Sequence, residues 1–267
     1  MLYKRVISGI LFLPIFYLVT WKLPPVYFTA LVAVTVMVGQ YEFYRMVRDP
    51  GTNPHTVIGI VIGALVTLET YHPLPFGLGK FFMAACVMLI MTVRLFSRRP
   101  VDRALDDIAI TLTGVFYVAV LFTFQIMILM GADGKQWLVF LYFVIWASDI
   151  GAYAIGMLFG RHRLYEKVSP KKSIEGFVGA LVAAAGMALL CRVWFMLPIP
   201  FGISEAIGIA LVLAVVGTIG DLVESLLKRA SGVKDSGGII PGHGGILDRM
   251  DSMLFAAPVM YYYLIIR

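Results

Sequence analysis

The segment Trp137–Phe159, WLVFLYFVIWASDIGAYAIGMLF, is apolar or small along its whole length except at Ser148 and Asp149. About 20 apolar residues span a bilayer as a helix, so this stretch reads as a transmembrane helix with a carboxylate in its interior. Working outward, further apolar blocks begin near Val6, Val26, Thr56, Phe81, Ile108, Ile174, Glu205 and Ser252, separated by short basic loops. Composition agrees: 60% of the 267 residues are hydrophobic and 14% charged, against about 45–50% apolar and 25% charged in soluble domains. A soluble domain and a disordered chain are excluded. So is a disulfide scaffold, because the two cysteines, Cys86 and Cys191, both sit in apolar blocks and are expected to be free and packed. The expected fold is all-α: a polytopic integral membrane protein of about nine transmembrane helices, or eight if the shorter blocks merge. It is read as a single membrane domain over 1–267, with 1–136 mostly spanning helices and 137–267 a catalytic half bearing polar loops.

Basic residues test the topology independently, since cytoplasmic loops are enriched in Lys and Arg. With nine spans, one side receives Lys4 and Arg5, Arg45 and Arg48, the run Arg94 to Arg103, the run Arg161 to Lys172, and Lys228 to Arg249, together 17 of the 22 cations. Lys22, Lys80, Lys135, Arg192 and Arg267 fall on the other. The N-terminus is expected in the cytoplasm and the C-terminus outside. The first block, which follows Lys4 and Arg5, runs into Trp21–Pro25 without a small-residue cleavage site and is read as retained. Arg94, Arg98, Arg99 and Arg103 are read as topology signals. Glu69, at the end of its block on the opposite side, is read as structural.

Polar residues at unusual depth concentrate after Asp149. A carboxylate within a span costs about 2.5–3.5 kcal/mol on insertion scales, so Asp149 is expected to face a partner or a polar cavity. Ala152, Gly156 and Gly160 repeat every four residues, a stripe on which another helix can pack closely. Next comes a basic, hydroxyl-bearing turn, Ser169-Pro170-Lys171-Lys172-Ser173, leading into a helix with Ser173 as N-cap and Glu175 in its first turn. Such an N-terminus attracts phosphate. Further on, Asp221, Glu224, Ser225 and Lys228 recur at i+3, i+4 and i+7, which places them on one helix face. The stretch Ser231–Asp251 then carries six glycines, whose backbone can approach a ligand closely, but it fits neither the P-loop nor the dinucleotide fingerprint.

The run Ser225–Asp251 resembles the signature of CTP:phosphatidate cytidylyltransferases, the CDP-diacylglycerol synthases. Ser225, Lys228, Arg229, Lys234, Asp235, His243, Gly244, Gly245, Asp248, Arg249 and Asp251 all occupy its fixed positions. Ser169–Gly176 and the Asp149 helix are also similar to that family. The resemblance implies transfer of a cytidylyl group from CTP to phosphatidic acid, giving CDP-diacylglycerol and pyrophosphate for phospholipid biosynthesis, with Mg2+ required. It also implies a homodimer in the inner, cytoplasmic membrane whose site faces the cytoplasm. No nucleic-acid partner is expected.

The chemistry fits these residues. A phosphomonoester with a second pKa near about 6 is largely dianionic at neutral pH, so its oxygen needs charge neutralisation more than a base. On this reading Asp221 and Asp248 are metal ligands for one or two ions, with Asp149, Glu224 and Asp251 as further acidic catalytic candidates. Lys171, Lys172, Lys228, Arg229, Lys234 and Arg249 neutralise phosphate. His243, Gly244 and Gly245 contact phosphate or base, while Ser169, Ser173, Glu175, Ser225 and Asp235 complete the substrate-binding set. Two other classes compete. A CTP-dependent lipid kinase would release CDP instead of pyrophosphate, and a secondary transporter would show paired broken helices in two repeats, of which the sequence has none.

Overall fold

The computed structural model describes residues 14–48, 51–194, 202–238 and 244–267. His243 and most of the first apolar block lie outside them. Every other expected block forms a helix: α1 (Pro25–Met46), α2 (Thr56–Tyr71), α3 (Gly79–Leu95), α4 (Ala104–Thr113), α5 (Leu121–Met130), α6 (Gly134–Phe159), α7 (Ile174–Trp194), α8 (Ile203–Ala230) and α9 (Leu247–Ile266). A π-helical segment, Gly114–Val120, joins α4 to α5. Among the described residues five helices are long and apolar enough to cross a membrane: Pro25–Met46, Val101–Met130, Gly134–Phe159, Ile174–Val193 and Ile203–Ala230. α2 is apolar but shorter, and α9 carries Asp248, Arg249 and Asp251 in its first turns. Large apolar side chains that a soluble protein would bury stand exposed, among them Val57, Leu158, Val193 and Ile266. Such exposure is consistent with a helical integral membrane protein.

One departure from an all-helical chain is a small antiparallel hairpin, β1 (Arg163–Tyr165) with β2 (Ser169–Ser173). Sequence reading treats this stretch as a turn. Pro170 disfavours helix at the residue before it and lies within β2, which pairs with β1, Tyr165 opposite Ser169 and Arg163 opposite Ser173. Ser173 then caps α7 as expected, its Oγ accepting the Gly176 N–H at 3.1 Å.

The chain groups into two compact units: residues up to Met127 with Ala230–Arg249, and Ile128–Arg229 with Met250–Arg267. In the first, Ile62, Val66, Cys86, Ile90 and Val115 form a buried cluster. Gln40 and Tyr44 of α1 insert beside the π-helical segment. Tyr44 Oη donates to the Thr111 carbonyl at 2.8 Å, and Gln40 Nε2 donates to the carbonyls of Gly59 and Gly114 at 3.1 and 3.2 Å. These bonds tie α1 to α2 through Gly59, to α4 through Thr111 and to the first residue of the π segment through Gly114. Gly114 is required, because a Cβ would lie 2.4 Å from the Tyr44 ring.

Arg94 proves to be more than a topology signal. It is 3% exposed, its Nε donates to Asp107 Oδ2 at 2.9 Å, and its Nη2 donates to the Pro100 carbonyl at 2.5 Å. Asp107 Oδ1 also accepts the Asn53 N–H at 2.7 Å, and Arg99 Nη1 donates to the Asn53 carbonyl. Two loops of the basic side are thereby clasped over a buried ion pair. Burial, reinforced by the Arg99 guanidinium, pushes the neighbouring His55 imidazole below its ordinary range.

In the second unit α6 and α7 pack through small residues. A Cβ on Gly151 would lie 2.5 Å from both the Ala183 Cβ and the Gly179 carbonyl. The expected stripe is part of this seam, with Gly156 against Gly176 and the Ala152 carbonyl 2.9 Å from where a Gly176 Cβ would sit. Cys86 and Cys191 are free and buried, as expected.

Candidate active site

In the second unit the acidic candidates converge because glycine lets two helices touch. A Cβ on Gly220, the residue before Asp221, would lie 2.5 Å from the Asp251 carbonyl and 3.2 Å from the Phe255 Cβ. That close approach of α8 to α9 sets Asp221, Glu224 and Asp251 so that one carboxylate oxygen of each lies within 4.8 Å of the others. Glu224 is fully buried, while Asp221 and Asp251 are half-buried. Asp149 of α6 adds its charge to the field at Asp251.

Two ammonium groups answer this negative charge. Lys172, in β2, places Nζ 2.7 Å from Asp221 Oδ2, and Lys228 Nζ donates to Glu224 Oε2 at 2.6 Å. Ser225 Oγ donates to Asp221 Oδ1 at 3.5 Å. The expected face of Asp221, Glu224, Ser225 and Lys228 therefore exists as a set of i,i+4 contacts, and the Ser-Pro-Lys-Lys-Ser turn contributes Lys172 to it. Arg229 Nε donates to the Val168 carbonyl at 3.3 Å, tying α8 to the hairpin.

Other candidates are placed differently. Glu175 accepts the backbone N–H groups of Arg161 and His162 and lies 2.6 Å from His162 Nδ1, so it fastens the start of the hairpin. Lys171 is exposed, Ser169 half-buried, and Ser173 buried at the cap. Asp248 belongs to the first unit. Its Oδ2 accepts Ser236 N–H at 3.1 Å, Ser236 Oγ–H at 2.9 Å and Gly245 N–H at 2.7 Å, which gathers the glycine-rich loop at the head of α9. Gly244 has φ +80°, a conformation open to glycine. Lys234, Asp235 and Arg249 are exposed around this loop.

Glu42, on α1, is absent from the expected site residues. It is 2% exposed, and its Oε2 accepts the Leu247 N–H at 2.9 Å from 205 residues away. Together with Tyr41, Arg45, Asp235, Ser236 and Gly237 it lines a cavity of about 480 Å³. The same rule that singles out Asp149, a carboxylate within an apolar block, also applies to Glu42.

Hard divalent cations take anionic oxygen ligands. Three carboxylates within reach of one ion, flanked by two ammonium groups, suit a Mg2+ ion and the phosphates it would carry. A model of the cytidylyltransferase family matches residues 3–266 of this chain. The chain belongs to that family. The phosphatidate cytidylyltransferase of Bacillus subtilis (strain 168) is 33% identical over 267 residues, covering 98% of this chain and 97% of its own. Its counterpart from Synechocystis sp. is 33% identical over 269 residues, covering 90% and 89%. That of Mycobacterium tuberculosis (strain H37Rv) is 33% identical over 248 residues, covering 87% and 73%. The cytidylyltransferase family match runs through the first half of the chain as well as the Ser225–Asp251 signature, so α1 with Glu42 lies inside it.

Proposed function

We propose that this membrane protein is a phosphatidate cytidylyltransferase, converting CTP and phosphatidic acid to CDP-diacylglycerol and pyrophosphate for phospholipid biosynthesis. The observation that carries this reading is the family match over nearly the whole chain. The carboxylate and ammonium cluster of the second unit is what the chemistry needs. An oxygen of the phosphatidate phosphomonoester attacks the α-phosphorus of CTP. The new P–O bond forms as the bond from that phosphorus to the oxygen bridging the β-phosphate breaks, and pyrophosphate leaves with the electron pair. Near neutral pH the attacking oxygen needs no base.

What limits the reaction is bringing two polyanions together. Lys172 and Lys228, already aimed into the cluster, together with Arg229, supply fixed positive charge where charge builds up. Asp221, Glu224 and Asp251 would hold Mg2+, with Asp248 as ligand of a further ion, and bound metal would neutralise the triphosphate oxygens. Asp149 is proposed to face the lipid headgroup, while Lys171, Lys234 and Arg249 guide phosphate and the glycines at 244 and 245 admit it closely. We also propose the inner-membrane orientation of the charge split, nine spans, and a homodimer.

Product analysis tests the reading. Purified protein in vesicles with CTP and phosphatidate should release pyrophosphate in step with CDP-diacylglycerol and stop when EDTA removes the divalent ion. Release of CDP with a phosphorylated lipid would identify a kinase, and release of neither would point to transport.

A further inference from the structure

Glu42 lies on a helix that carries none of the expected site residues, yet its carboxylate is inserted into the glycine-rich signature. Oε2 accepts the N–H of Leu247 at 2.9 Å. That N–H belongs to the first residue of α9 and has no partner within its own helix, so α1 caps α9 from outside. The carboxylate also explains two glycines. A Cβ on Gly237 would lie 2.3 Å from Oε1, and a Cβ on Gly245 would lie 2.4 Å from Oε2 and 2.3 Å from Ser236 Oγ. Both arms of the loop therefore close around one buried carboxyl group. Asp248, one residue beyond Leu247, grips the same arms through Ser236 and Gly245. The two carboxylates share a scaffold. Moving the first displaces the contacts that orient the second.

We propose that Glu42 is a positioning residue for cytidylyl transfer: its buried carboxylate fixes the head of α9 and the loop arms at Ser236–Gly237 and Gly245, and thereby holds Asp248 in its working orientation. The proposal rests on the cytidylyl-transfer reading and on Asp248 serving a metal ion. In this proposal Glu42 acts through the contacts that orient Asp248, not as a ligand itself. Its effect falls on turnover and on metal affinity, as expected of groups that orient a ligand from behind, where loss typically costs about 10–100-fold.

The test uses full-length protein in phosphatidate-containing vesicles, with Glu42→Gln, Gly237→Ala and Asp248→Asn compared with wild type. Thermal melting establishes folding, steady-state kinetics separate kcat from KM for CTP, and Mn2+ binding is followed by electron paramagnetic resonance. Folded Glu42→Gln should lose at least about tenfold in kcat and bind Mn2+ more weakly by a similar factor, with little change in KM. Gly237→Ala, whose methyl displaces Oε1, should reproduce this pattern and serves as the test if Glu42→Gln does not fold. A folded variant with a lower melting temperature but wild-type kcat and Mn2+ affinity would show that Glu42 merely stabilises the fold, and would overturn the proposal. Wild-type turnover and Mn2+ binding by Asp248→Asn would overturn the route through Asp248. Failure of wild type to make CDP-diacylglycerol would instead strike the functional reading.

Discussion

Asp221 holds Lys172 on one side and faces Glu224 and Asp251 on the other, so the proposed metal site is tested most directly there. Asn keeps an oxygen and nearly the same volume but removes the charge. Asp221→Asn and Asp248→Asn are expected to give folded, membrane-inserted protein whose turnover falls at least about a hundredfold, near 2.7 kcal/mol at 1.36 kcal/mol per tenfold. Glu69→Gln is the control, and should turn over as wild type in the same pyrophosphate assay. Lys172 makes a second, opposite prediction. Its ammonium competes for the carboxylate that a cation would use, so Lys172→Met should bind Mn2+ about tenfold more tightly while turning over more slowly, since it also removes a phosphate partner. Weaker Mn2+ binding by that variant would mean that Lys172 assembles the cluster and does not compete with it.

At the scale of elements, the seam between α6 and α7 depends on the absence of side chains. Gly151→Ala pushes a methyl against Ala183 and the Gly179 carbonyl, whereas a Cβ on Gly186 of α7 meets nothing within 4 Å. The first should destabilise by about 1–3 kcal/mol through overpacking, and the second should be neutral or stabilise by about 0.5–1 kcal/mol through helix propensity. Thermal melts of the two variants in one detergent check the contrast. These elements also show what the sequence makes legible. The stripe of Asp221, Glu224, Ser225 and Lys228 and the Ser173 cap are local patterns, written within one or two turns, and the structure carries them directly. Glu42 pairs with a backbone N–H 205 residues away, and no periodicity encodes such a contact. The π-helical segment Gly114–Val120 is hidden for a related reason: its side chains are ordinary, and its tie to α1 runs through Gln40, 74 residues away, which donates to the Gly114 carbonyl. The hairpin escapes because strands of three and five residues are too short to show alternation.

For the whole molecule, the charge split makes a topological prediction. Reporter tags after Arg163 and after Lys234 should both report cytoplasm, and a tag after Arg267 the opposite side. An outside report from either polar loop would sink the orientation, since CTP is a cytoplasmic nucleotide. The first unit, residues up to Met127 with Ala230–Arg249, also has a history built into it. Its helices leave the ribosome early, but the strand of chain that closes around Glu42 is translated 205 residues later. At about 5–20 residues per second, that carboxylate waits roughly 10–40 s for the N–H of Leu247. Throughout that interval the nascent half-protein holds a glutamate whose intended partner does not yet exist. Its completion is timed by elongation, so a ribosome stalled anywhere before residue 247 leaves the early half unfinished and open to membrane quality control.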